Sequence, residues 1–281
     1  MENLRANLIN SIPLSNRAIL TLSGPDRKNF LQGLITNNVE KIAEGSALYA
    51  ALLTPQGKYL HDFFIFEKGE TLYLDAERAR LPDLFRRLMM YKLRAAVDII
   101  DHSAQYTVFS DQKAPIDDVI FAPDPRHSQM GFRVLRPHQQ GETENAAYND
   151  YDQLRLNLGL ADGSRDFDID KTLILEGNLE NLNGVDFEKG CYVGQEVTAR
   201  MKHRTNLKKR LLPVDVDGPL PDRGTEITND AGKKIGDIRS GLGNRAIGYF
   251  RLADLTFDHN YHCGHARVTP RRPDWLQETD I

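Results

Sequence analysis

Apolar residues recur along the chain with two different periods, and each change of period marks a predicted element. Residues 17–23 (RAILTLS) read as a strand, after which Gly24-Pro25-Asp26 breaks the run and opens a helix carrying Phe30, Leu31 and Leu34 on one face. Two further strand-like runs, 47–54 (ALYAALLT) and 59–66 (YLHDFFIF), flank Pro55-Gln56-Gly57-Lys58, a loop with hairpin chemistry, and TLYLD at 71–75 extends the sheet. Leu81, Leu84, Leu88 and Tyr91 then fall at helical spacing within 77–94. Basic residues gather towards the end of that stretch, where they suit the helix dipole, so a helix covering one sheet face is predicted.

Beyond it, AVDII, YTVFS and GFRVL are short strand candidates between 97 and 135, followed by a polar linker, RPHQQGETENAA. A helix over about 149–158 stops at Gly159. Residues 160–193 are rich in Asp, Asn and Gly, and a stretch of that length without periodicity reads as a functional or disordered loop rather than a connector. From 207 on, LKKRLLPVDV, TEITND, KKIGDIRS, RAIGYFR and HARVTP alternate with turn residues, the pattern of a small all-β barrel. No internal repeat interrupts this order.

Composition narrows the function classes. With 281 residues, 40% hydrophobic and 27% charged, the chain is an ordinary globular protein of one to three domains. A net charge of −4 supplies no global attraction for nucleic acid or anionic lipid, so a polyanion would have to meet a local patch. Two cysteines, Cys191 and Cys263, cannot build a disulfide framework, nor give four thiolates to an iron–sulfur cluster. The first residues lack a cationic flank with an apolar core, and no window reaches the roughly 18 apolar residues of a membrane span. A cytosolic protein without membrane contact is the expectation.

The segment with most chemistry is NLNGVDFEKGCYVGQEVTARMKHR, residues 181–204. Cys191 precedes a predicted helix at Gln195 to His203, on which Glu196 and Arg200 have i,i+4 spacing. Near a helix N-terminus the dipole and free amides favour thiolate, Lys189 and Arg200 would add positive charge, and Gly190 and Gly194 would let a partner reach the sulfur. A buried, inert cysteine in a turn is the bland alternative. His259, His262, Cys263 and His265 cluster in HNYHCGHAR, but without the paired spacing of a structural zinc site a surface loop of the barrel is the better reading. GLGNRAIG at 241–248 lacks dinucleotide-binding spacing, and there is no nucleophile-elbow pattern. Lys202, His203, Arg204, Lys208, Lys209 and Arg210 form a local basic stretch, a pattern more often merely solvated than bound to phosphate.

KGCYVGQE at 189–196 resembles the signature of the YgfZ family, folate-binding iron–sulfur assembly factors related to the glycine cleavage T-protein, an aminomethyltransferase. GPDRKNFLQGLITNNV at 24–39, LLTPQGKYLHDFFI at 52–65 and LRLNLGLADG at 154–163 are similar to successive family segments, and the form of Arg155 to Gly163 is closer to mitochondrial-type members. The resemblance implies an α+β fold, a three-domain cloverleaf of the T-protein type with a C-terminal β-barrel. The domains are placed at 1–135 (the first two lobes), 136–205 (completing them and carrying KGCYVGQE) and 206–281 (the barrel). It also implies tetrahydrofolate as a cofactor held by Tyr192, Gln195, Glu196, Arg200, Arg155 and Asn157, with an apolar slot for the pterin and a cation for its glutamate tail.

The implied function is accessory: assembly or repair of clusters in four-iron enzymes, including tRNA-modifying radical enzymes. Cys191 would act as thiolate and as one ligand of a cluster shared with an iron–sulfur carrier or client, tuned by Lys189. The alternative is a tetrahydrofolate-dependent one-carbon transferase using Asp62. Against it, His61-Asp62 stands where the transferases carry paired aspartates, and Asn157 stands in place of their folate-binding glutamate. An RNA-binding module is the weakest class, since the charge is negative and a basic aromatic platform is lacking.

Overall fold

A computed structural model describes residues 11–138, 148–204 and 207–278, without the side chain of residue 204. Residues 139–147, most of the expected linker, lie outside the described residues. The chain forms two compact units, one made of residues up to 55, 60–148 and 182–195, the other of 56–59, 149–181 and 196 onward. Residues 182–195, expected within the middle segment, thus belong to the first unit.

The first unit contains β1 (Ser11–Pro13), β2 (Arg17–Ser23), α1 (Arg27–Gln32), β3 (Ala47–Leu53), β4 (Tyr59–Lys68), β5 (Thr71–Glu77), α2 (Leu81–Lys92), β6 (Asp98–Asp101), β7 (Tyr106–Asp111), β8 (Ile120–Pro123) and β9 (Phe132–Pro137). A five-stranded sheet runs in the order β3-β4-β5-β2-β6. Its register sets Leu20 opposite Leu74 and Leu22 opposite Leu72, so strand alternation sends these leucines to one face. There they pack with Leu31 of α1 and Leu84 and Leu88 of α2, as the two periods predict. The short strands β1 and β8 were not foreseen, because three or four residues carry too little alternation.

The other face explains why β2 is buried up to its last residue, Ser23. A second sheet, β1-β7-β9-β8, supplies Arg133, whose Nη2 lies 2.5 Å from the Asp75 carboxylate, while Arg17 Nε donates to the same group at 2.6 Å. Arg126 pairs with Asp124 at 2.8 Å, and the guanidiniums of Arg133 and Arg126 stand 3.8 Å and 4.8 Å from the Phe64 ring centre. These charges are all buried. Their mutual pairing and the aromatic face offset a desolvation cost that would otherwise be several kcal/mol per ion.

The second unit contains α3 (Tyr148–Leu158), the single turn α4 (Gly163–Asp166), α5 (Gln195–Arg204) and the strands β10 (Lys209–Asp217), β11 (Glu226–Thr228), β12 (Lys234–Leu242), β13 (Arg245–Arg251), β14 (Tyr261–Cys263) and β15 (Ala266–Pro270). The strands close into the expected barrel, in the order β10-β13-β12-β11-β14-β15. GLGNRAIG is its β12–β13 hairpin, with Gly243 at φ +58° where the turn requires it. The histidine-rich segment is the β14–β15 hairpin, with His265 in its turn and His259 just ahead of β14. Tyr261 and Cys263 point into the barrel core, and His262 faces Asp230 at 3.3 Å. Burial pushes the Cys263 thiol up to about 11.

His61 on β4 is buried, with Nε2 2.9 Å from Asp83 of α2. Desolvation, then the neighbouring Arg80, lower its pKa from 6.5 to about 4, so the folded state holds the ring neutral where the unfolded chain binds a proton. Stability should therefore be full above 6.5 and fall as pH drops from 6.5 to about 4, by up to about 3 kcal/mol. Urea titrations across this range should show that slope, and His61→Gln should flatten it.

Candidate functional site

The loop around Cys191 is fixed to the first unit by side chains that the chain places far away in sequence. After α1, the segment Ile35-Thr36-Asn37-Asn38 runs as irregular backbone beside it. Thr36 donates its hydroxyl to the Gly184 carbonyl at 2.6 Å and receives the Ala51 amide at 2.8 Å. Asn37 Nδ2 donates to the carbonyls of Tyr49 and Asn183, both at 2.8 Å. Backbone bonds continue the attachment: Asp186 N–H to Thr36, and Val193 N–H to Gly33. Lys41 pairs with Asp186 at 2.7 Å.

Lys189 is the deepest of these anchors. Its Nζ donates to three carbonyls, those of Gln32 at 2.8 Å, Ile35 at 2.6 Å and Asn37 at 2.8 Å, and sits 5.0 Å from the centre of the Tyr192 ring. Desolvation lowers its pKa to about 8, yet three acceptors match the three N–H groups of an ammonium, which keeps it charged at neutral pH. Lys189 is therefore a rivet under the loop, its ammonium bonded to backbone carbonyls.

Buried Lys189 and buried Tyr192 bracket two exposed residues, Gly190 and Cys191. A Cβ placed on Gly190 would meet nothing within 4 Å, so the space beside the cysteine is open. Gly194 turns the chain with φ +86°, and Gln195 begins α5 while its side chain accepts the Tyr192 amide at 3.3 Å. Cys191 thus lies just before the helix, one turn ahead of Gln195. Glu196 and Arg200 form the expected i,i+4 pair at 3.0 Å. With Ala199 and His203 they line a cleft of about 490 Å³ along α5.

Other sequence candidates have structural partners. Asp62 is buried and accepts the Tyr49 hydroxyl at 3.0 Å. Arg155 is wholly buried: it donates to Asp152 at 2.6 Å, Asp166 at 3.1 Å, the Leu160 carbonyl at 3.1 Å and Ser240 at 2.8 Å, joining α3, α4 and β12. Asn157, exposed, accepts from Arg245 of β13 at 3.0 Å. The basic stretch is divided as well. Arg210 is buried against Asn178 and Asn181, Lys209 lies over the Tyr249 ring, and Lys202 pairs with Glu180. Thr36 and Asn37 were missed as site residues, although a polar run between buried Ile35 and Val39 signals side chains that serve backbone.

The fold is that of the glycine cleavage aminomethyltransferases. The structure superposes on aminomethyltransferase T from Bartonella henselae with a TM-score of 0.75, covering 95% of this chain and 86% of that one at 15% identity. Residues 208–278 match the C-terminal β-barrel domain of CAF17. Sequence relatives are more specific: the mitochondrial iron–sulfur cluster assembly factor IBA57 of Mus musculus is 30% identical over 93% of this chain and 84% of its own. The Homo sapiens protein is 32% identical over 82% and 74%, and the Pyricularia oryzae homolog 30% over 86% and 72%. The chain belongs to the IBA57 family of iron–sulfur cluster assembly factors, a subgroup related to but distinct from the YgfZ proteins it was expected to join. These relatives are mitochondrial by name, which overturns the expectation of a cytosolic protein and points to mitochondria.

In the native protein, iodoacetamide should alkylate Cys191 and leave Cys263 untouched until the barrel is unfolded, as peptide mass spectrometry would show. Lys189→Met should loosen the loop by about 2 kcal/mol, a roughly thirtyfold loss of protection at the Asp186 and Val193 amides in hydrogen exchange.

Proposed function

We propose that this protein serves iron–sulfur cluster assembly through the Cys191 thiolate, which supplies one iron ligand of a cluster whose other ligands come from a carrier or client protein. The observation that carries this reading is the exposed Gly190-Cys191 pair held between two buried anchors, Lys189 and Tyr192. The cysteine count supports sharing. Cys263 is sealed in the barrel, so one thiol per chain is available, and a cluster needs about four ligands. Transfer is then ligand exchange without redox change: an iron–sulfur bond to Cys191 forms as one to the donor's thiolate breaks, and the proton from Cys191 goes to the released thiolate.

A reduced folate was expected at Arg155 and Asn157, but these residues do not fit that role. The Arg155 guanidinium is consumed by buried partners, and Asn157 is turned to Arg245. Tyr192 and Gln195 likewise serve the loop itself, which leaves Glu196 and Arg200 on the α5 cleft as the remaining candidates. No step of the proposed exchange uses folate. The one-carbon transferase reading is weakened further by His61, a buried neutral ring where paired carboxylates would be needed. Clients such as tRNA-modifying radical enzymes remain part of the proposal.

In cells lacking the native protein, the wild-type chain should restore four-iron enzyme activity. Cys191→Ser should reduce that activity to the level of the empty vector while leaving the melting temperature within a degree or two, since an exposed side chain changes by one atom. Asp62→Asn should keep cluster enzymes active. Rescue by the serine variant together with loss in the Asp62 variant would refute the thiolate and favour transfer chemistry.

A further inference from the structure

The end of α2 carries a cluster of exposed large apolar residues that packing does not explain. Leu81, Leu84 and Leu88 bury one stripe of the helix, but the last turn, Met89 to Lys92, buries nothing. Met90 is 67% exposed and Leu93, just past the helix, 88%, with Met89 and Tyr91 also open to solvent. Ile100 is exposed on β6, the edge strand in contact with α2.

Leu93 is also held against its own backbone preference. The Ala95 amide donates to the Lys92 carbonyl at 2.8 Å, closing a turn in which Leu93 has φ +44° and ψ −107°. Those angles belong to the first central position of a type II′ turn, where glycine is the usual residue. A leucine that is unburied and conformationally strained gives nothing to the isolated fold, and strain of this kind accompanies sites of function.

Charge identifies the occupant. Lys92 and Arg94 flank Leu93, and among the described residues neither has an ion-pair partner, while Arg86 one turn earlier is two-thirds exposed. Met-rich apolar surface rimmed by cations suits a protein segment that adapts in shape and presents acidic residues around an apolar anchor. We propose that the α2 end, centred on Met90 and Leu93 and rimmed by Lys92 and Arg94, is a docking surface for an acidic segment of a partner protein, separate from the Cys191 loop.

The test is selection of a random peptide library displayed on phage against the full-length protein, with a Leu93→Glu/Lys92→Glu double variant as counter-target. Selected peptides should combine Leu, Phe or Met with Asp and Glu. A synthetic copy should shift amide resonances of residues 89–95, weaken at least tenfold on the double variant, and weaken as salt rises. Leu93→Gly should raise the melting temperature while binding falls at least tenfold, separating a recognition role from a structural one. Absence of enriched sequences, enrichment of basic ones, or equal binding to the double variant would overturn the proposal. So would cosedimentation of the wild type with phosphatidylcholine–phosphatidylserine vesicles that the double variant loses, or concentration-dependent dimerisation through these residues. None of these readouts depends on Cys191, so they stand or fall apart from cluster assembly.

Discussion

Everything proposed for Cys191 depends on one buried ammonium. A loop rich in glycine and polar residues has no apolar core of its own and would sample many conformations, at a cost of about 1–2 kcal/mol for each residue ordered. Lys189 opposes that entropy by donating all three of its N–H groups to carbonyls of Gln32, Ile35 and Asn37, which the break after α1 leaves without helical or strand partners. The bonds are charge-assisted and largely shielded from water, so each is stronger than an exposed equivalent. The same contacts that satisfy orphaned carbonyls thus determine where the thiol stands.

The rivet needs a platform, and the two stacked sheets of the first unit provide it. Their interface is ionic at its centre, with Arg17 and Arg133 sharing Asp75, and Arg126 held by Asp124 around Phe64. Tyr49 belongs to both regions. Its carbonyl receives Asn37 beneath the loop, its ring stacks on Phe64 at 5.1 Å, and its hydroxyl holds Asp62. Asp62, weighed from the sequence as a transferase carboxylate, is here tied through Tyr49 to the packing that carries the cysteine loop. In this chain that architecture leaves the Cys191 thiol exposed and sets a buried histidine beside Asp62.

The elements with sustained periodicity were legible in the sequence: the hairpin of β3 and β4, the leucine stripe of α2, and five of the six barrel strands. The exposure of Cys191 was legible too, because glycines on a polar loop signal access. What sequence reasoning did not place were the buried cations. Lys189, Arg155 and Arg210 look like surface charge or ligand contacts when only neighbours in sequence are seen, because their partners lie from a few to more than 150 residues away. Cys263 was misplaced for a related reason. A histidine-rich segment with a glycine reads as a surface loop, while the alternation that buries the thiol spans only Tyr261 to Cys263. Short strands and long-range polar pairs leave no period to read.

In the proposed exchange Cys191, and not Cys263, gives this protein its hold on an iron–sulfur cluster. Native mass spectrometry of the protein mixed anaerobically with a cluster-loaded carrier measures this directly. The account predicts a complex whose mass includes iron and sulfide, formed by wild type and by Cys263→Ala but absent with Cys191→Ser. A cluster-containing complex that survives in Cys191→Ser would contradict it.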